Sequence, residues 1–102
     1  MNIAIYQNLC KDENIAITQH ARQRFIERSI FLDDIENAIL HGTIIEEYPN
    51  DSPFPSCLIL GPDGEQHPLH IVASTNENTI YIITAYRPDP RKWNENFSTR
   101  KE

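Results

Sequence analysis

Three side chains at four-residue intervals, His20, Arg24 and Arg28, stand in the segment ITQHARQRFIER, residues 17–28. On a helix, residues four apart share a face. The spacing therefore makes a ridge of one titratable imidazole and two permanent positive charges. Such a ridge suits an anion, phosphate above all, because the arginine fork can hold it bidentately. The chain has no glycine-rich phosphate loop, since Gly61 and Gly64 flank a turn signal.

A second set of polar groups sits inside apolar runs: His70 in PLHIVAS, and Thr84 and Tyr86 in TIYIITAYR. By strand alternation His70 and Val72 point one way, and Leu69, Ile71 and Ala73 the other. The same rule puts Ile80, Ile82, Thr84 and Tyr86 on one face, with Tyr81, Ile83, Ala85 and Arg87 opposite. His70 reads as either a satisfied core histidine or an acid–base group. Tyr86 reads as either core or a base-stacking surface, and Thr84 is at home in any strand.

These residue types suffice for one cofactor-free reaction. RNA is cleaved by its own 2′-hydroxyl, given a base for that proton, an acid for the leaving oxygen and cations for the phosphorane charge. On that reading His20, Arg24, Arg28, His70 and Tyr86 form the catalytic set, and Thr84, Arg87 and Arg91 contact substrate. No metal is expected, because His41, His67 and His70 lack a ligand spacing that would gather them on one element. Cys57, in an apolar run, reads as a small hydrophobe. Cys10 and Cys57 lack paired CxxC spacing and are expected as reduced thiols of a cytoplasmic protein. The simpler alternative makes the ridge structural, its arginines paired with Glu27 and nearby acids as surface salt bridges.

The formal net charge of −6 argues against a nucleic-acid partner, but its distribution weakens the objection. Eight of the nine Lys and Arg residues lie within 20–28 and 87–101, where only Glu27, Asp89 and Glu95 oppose them. Elsewhere Lys11 faces twelve acids. A cationic patch on an acidic body results if both basic segments meet in the fold. A solvated helix face plus a frayed tail is the other possibility.

The elements that must position these groups follow from patterning. A chain of 102 residues makes one domain with a modest core, at 39% hydrophobic and 24% charged residues. No apolar run suggests a membrane span or a secretory signal. A short helix is expected within 2–11. Thr18 caps a helix over 19–28 that buries Ala21 and Phe25, with Ile26 extending the stripe and Arg24 and Arg28 beside it. A further helix, capped by Asp33 or a neighbour, buries Ile35, Ala38 and Ile39 and ends at His41-Gly42, with Gly42 in the left-handed position. Strands follow at 43–48, 56–61, 68–74 and 79–87, separated by the Pro-rich PNDSPFP, a Gly61–Gly64 turn and a hairpin at 75–78. Pro88 and Pro90 end the last strand, and Arg91 to Phe97 offers a final helical turn. The expected class is α+β: two or three N-terminal helices packed on a four-stranded, mainly antiparallel sheet.

The joint pattern of HA-x-x-R-x-x-x-R, PLH and TAY, spread over about residues 15–93, resembles the bacterial domain of unknown function 4258. That resemblance implies a RelE-like ribonuclease toxin of the barnase–EndoU–colicin–RelE fold, part of a type II toxin–antitoxin pair. It implies RNA as substrate, including ribosome-associated mRNA, and a small zinc-finger antitoxin as partner. His20, Arg24, Arg28, His70, Thr84 and Tyr86 are the positions that carry over. The acidic net charge departs from the usually basic toxins of this kind. Residues 94–102 are expected as a flexible basic tail. The competing function is a non-catalytic nucleic-acid- or protein-binding module that uses the same patch.

Overall fold

Thr18 begins the helix that matters most here: its backbone is extended and its hydroxyl accepts from the Ala21 N–H at 3.1 Å. The computed structural model, which describes residues 1–102, runs through eight regular elements. These are α1 (Ile3–Leu9), β1 (Ile15–Ile17), α2 (Gln19–Arg28), α3 (Leu32–Leu40), β2 (Thr43–Tyr48), β3 (Ser56–Pro62), β4 (Pro68–Asn76) and β5 (Thr79–Tyr86), with a short 3-10 turn at Asp12–Asn14. The α+β class holds, with three helices on one sheet. No helix is long and apolar enough to cross a membrane.

The sheet has five strands rather than four, in the order β1-β5-β4-β3-β2. The meander β2 to β5 is antiparallel as expected, while β1 adds a parallel edge by pairing Ile15–Ile17 with Ile80–Ile82. Sixteen buried residues from the helices and one sheet face form a single core, including Tyr6, Phe25, Ile35, Ile39, Ile59, Ile71 and Ile82. Ile35, Ala38 and Ile39 are fully buried. Truncating Ile35 to Ala would cost roughly 3 kcal/mol through lost contacts and a cavity.

Several local expectations are corrected. Gly42 is not left-handed, since no glycine has a positive φ. A Cβ on Gly42 or Gly61 would instead overlap the Ala38 carbonyl, so these glycines let the end of α3 sit directly on β3. The left-handed residue that stops α2 is Ser29, at φ 55°. Phe31 is the N-cap of α3, where the Asp34 carboxylate accepts its N–H at 2.9 Å. Ile26 does not extend the core stripe; it is 73% exposed.

The most consequential correction lies in β5. Ala73 pairs with Ile82 and Val72 with Thr84, leaving Ile83 as a bulge residue. An extra residue in one strand reverses the alternation beyond it. Ile80, Ile82 and Ala85 therefore share the core face, while Thr84 and Tyr86 turn to the far face with their partners Val72 and His70. The far face is covered at one end by the Pro-rich loop, with Phe54 stacked on Tyr81. At the other end it is covered by the C-terminal segment, whose Trp93 and Phe97 meet His70.

Candidate functional site

The α2 ridge forms on the outer side of a helix held inward by Ala21 and Phe25. His20, Arg22 and Arg24 are exposed, and their side chains make no hydrogen bond or ion pair. The five ion pairs of the chain all lie elsewhere, so Glu27 does not neutralise the ridge. Arg28 is anchored differently. Its Nη1 donates to the Ala85 carbonyl at 2.8 Å and to the Thr84 hydroxyl at 3.5 Å. It reaches them because β1 covers β5 only as far as Ile82, leaving the outer edge of 83–86 open. Its Nε and Nη2 meet no protein acceptor and stay available to a ligand.

The two basic segments meet at one residue. Arg87 donates to the Arg28 carbonyl at 2.9 Å and the Ser29 carbonyl at 3.4 Å, tying the end of α2 to the end of β5. It also reaches the Asp63 carboxylate at 3.3 Å. Asp63 is nearly buried, which pushes its carboxyl up. The backbone N–H groups of His67 and Glu65, at 2.9 and 2.8 Å, and Arg87 outweigh that and hold it below the usual carboxylate range. Arg91 is engaged by Asp89 at 3.0 Å and extends into solvent. Arg100 crosses to β2, where it grips both oxygens of Glu46 at 3.0 and 3.1 Å and lies over the Trp93 ring at 4.6 Å. Arg100 thereby draws the Glu46 carboxyl below its ordinary value.

His70 stands at the centre of the far face and is fully enclosed, at 0% exposure. Its Nε2 meets the Phe97 carbonyl at 2.8 Å, so Nε2 carries the proton and donates. Its Nδ1 is then an acceptor for the Tyr86 hydroxyl at 3.4 Å. Trp93 packs edge-on against the ring at 4.4 Å. Burial lowers the imidazole pKa, and the Phe97 carbonyl only partly offsets this, so the ring is neutral at pH 7. Burial likewise raises the Tyr86 phenol. The result is a closed, satisfied His70 beneath the C-terminal segment, with the half-buried Tyr86 at its side.

The candidates therefore fall into two groups, separated by the sheet. His20, Arg24 and Arg28 line α2 on the helix side, with Arg28 touching Thr84 across the edge. His70 and Tyr86 lie on the far face under Trp93 and Phe97. No contact joins His20 to His70. Cys10 and Cys57 are free and buried, and burial raises both thiols, Cys10 to about 11. Neither is poised as a nucleophile.

The sequence did not single out Phe54 and Tyr81. Their rings stack at 6.1 Å and 24° on the far face, near the open edge of β5. Two hollows of about 400 and 450 Å³ share Tyr81 and Ile83 as a common wall. A lone aromatic in a Pro-rich loop was the available signal, but nothing in the sequence pairs it with Tyr81.

Residues 17–87, over two thirds of the chain, match the family described as Domain of unknown function (DUF4258). No curated protein and no solved structure matches the chain. The chain belongs to the DUF4258 family.

Proposed function

We propose that this DUF4258 protein is a small metal-independent endoribonuclease, RelE-like in its chemistry and the toxin of a type II toxin–antitoxin pair. One observation carries the reading: His20 and Arg24 stand exposed and unpaired on α2, beside an Arg28 already fixed in place by β5. Four residues along a helix advance about 6 Å, so the three groups line a path about 12 Å long. A scissile phosphate lying on that path meets an imidazole at one end and two guanidinium groups beyond it. His20 takes the 2′-hydroxyl proton, and the 2′-oxygen attacks phosphorus. The 5′-oxygen leaves with a proton from water, and a 2′,3′-cyclic phosphate remains. Arg24 and the free nitrogens of Arg28 hold the charge that develops on the phosphorane. Thr84 and Arg87 support this as positioning residues, one at each side of Arg28.

His70 enters the proposal as a structural residue, because it is fully buried beneath the C-terminal segment, while the half-buried Tyr86 holds the ring through its hydroxyl. That same enclosure favours a second reading, a non-catalytic module that binds RNA or a protein such as a zinc-finger antitoxin through the ridge. Incubation of the purified protein with single-stranded RNA in chelator, alone and with ribosomes, separates the two. Cleavage that His20→Ala and Arg24→Ala abolish supports the nuclease. Binding to the ridge without cleavage under both conditions supports the module.

A further inference from the structure

The far face of the sheet is open only between its two covers. The Pro-rich loop shields Ser56 and Ser74 but leaves their row neighbour Tyr81 part-open, and the C-terminal segment shields His70. Between them Ile83 is 46% exposed and Tyr81 36% exposed. The two hollows flank these residues, one reaching toward Thr18 at the start of α2 and the other toward Phe54 and Asp51. Arg28 connects this trough to the α2 ridge, since its guanidinium touches Thr84, the residue after Ile83.

We propose that this trough seats a nucleobase of single-stranded RNA, stacked on Tyr81 and Phe54, while the α2 ridge holds the adjoining phosphates. The inference rests on the ridge reading above and adds to it the class of substrate and a base preference. Charge sets the polarity of the seat. At one end Arg28, which has no carboxylate partner, adjoins the trough at Thr84, whereas the loop end offers the Asp51 carboxylate. That carboxylate already accepts from the Ser56 hydroxyl at 2.6 Å and the Ser52 N–H at 3.0 Å. A phosphate is attracted to the first end and repelled from the second. A base with an exocyclic amino group can donate to Asp51 through a free NH2, whereas uracil offers only one N3–H set between two carbonyl oxygens that the carboxylate repels. The hollows, each about 400 Å³ or slightly larger, fall within the range of small-ligand sites. A flat base fits the exposed aromatic wall better than a duplex edge would, because stacking needs an unpaired, accessible face.

The test is fluorescence anisotropy with labelled 2′-O-methyl hexamers, which bind but cannot be cleaved through a 2′-hydroxyl. The wild type is expected to bind the adenine hexamer more tightly than the uracil one. Tyr81→Ala should weaken the adenine hexamer roughly tenfold, the usual scale of one base–aromatic stack. Tyr81→Phe should keep the affinity, and an abasic hexamer should weaken the wild type but not Tyr81→Ala further. Undiminished binding by Tyr81→Ala alongside weakened binding by Arg24→Ala overturns the base seat and leaves the ridge reading standing. Failure of the wild type to bind any hexamer overturns the base seat, while the ridge reading falls only if RNA is also left uncleaved with and without ribosomes. A change in sedimentation from dimer to monomer in Tyr81→Ala, with hexamer affinity unaltered, makes the trough an interface between copies and overturns the seat.

Discussion

The α2 ridge and the C-terminal segment look alike as strings of basic residues, yet the fold treats them in opposite ways. Arg87, Arg91 and Arg100 each find a carboxylate, in Asp63, Asp89 and Glu46. Arg22, Arg24 and Arg28 find none, and Arg28 settles on a carbonyl and a hydroxyl. Clustering of charge is therefore a poor guide to binding until each cation's partner is known. A paired arginine holds structure together, and an unpaired one keeps its field for a ligand.

The sharpest way to break this contrast is to remove the ridge chemistry. His20→Ala should lower RNA cleavage by a hundredfold or more, the scale of a lost general base. Its thermal midpoint should stay near that of the wild type, because His20 is exposed and makes no contact. Loss of folding in that variant would show that the ridge is structural.

Next in size is Asp63, the buried anchor of Arg87. Asp63→Ala strips acceptors from two backbone N–H groups and a guanidinium, and should cost about 2–3 kcal/mol in urea unfolding. A cost as small as that of an exposed pair would move Arg87 from the structural group to the free one.

A smaller effect is expected at Arg100, which is largely exposed although bidentate. Arg100→Ala should cost about 1 kcal/mol and loosen the segment over Trp93. As the single tryptophan of the chain, Trp93 reports this directly by a red shift in emission. An unshifted spectrum would mean that the segment is held by Phe97 and Trp93 alone.

The least change is expected from acidity at His70. Its pKa is lower in the folded protein than its ordinary 6.5, so the unfolded chain binds the extra proton more readily. Stability contributed by neutral His70 is present above pH 6.5 and is lost as pH falls through the folded-state value. Urea midpoints at pH 7.5 and 5.5 should differ less in His70→Gln than in the wild type. An unchanged difference would assign the acid sensitivity to another group.

Part of this contrast was legible in the sequence. Thr18, Ala21 and Phe25 announce α2 and its buried side through short-range chemistry, and so the ridge's direction could be read. The strand β1 was missed because Ile15–Ile17 is three residues long and owes its existence to parallel pairing with β5. Gly42 was read as a turn residue, whereas its role is set by the Ala38 carbonyl packed against it. The bulge at Ile83 was hidden because IYIIT alternates well enough to pass for a regular strand. That one inserted residue decides which face receives Thr84 and Tyr86. Ion-pair partners lay furthest from view: Arg100 and Glu46 are 54 positions apart, and no local pattern connects them.

The most direct test of the account compares two arginines that carry the same charge and differ in partnership. Arg24 is unpaired on α2, whereas Arg91 is 88% exposed yet paired with Asp89. RNA cleavage by Arg24→Gln and Arg91→Gln should be measured side by side under one salt condition. The account predicts a loss of roughly a hundredfold for Arg24→Gln, as for removal of a transition-state donor, and less than twofold for Arg91→Gln. Equal losses, or a larger loss at Arg91, would contradict it.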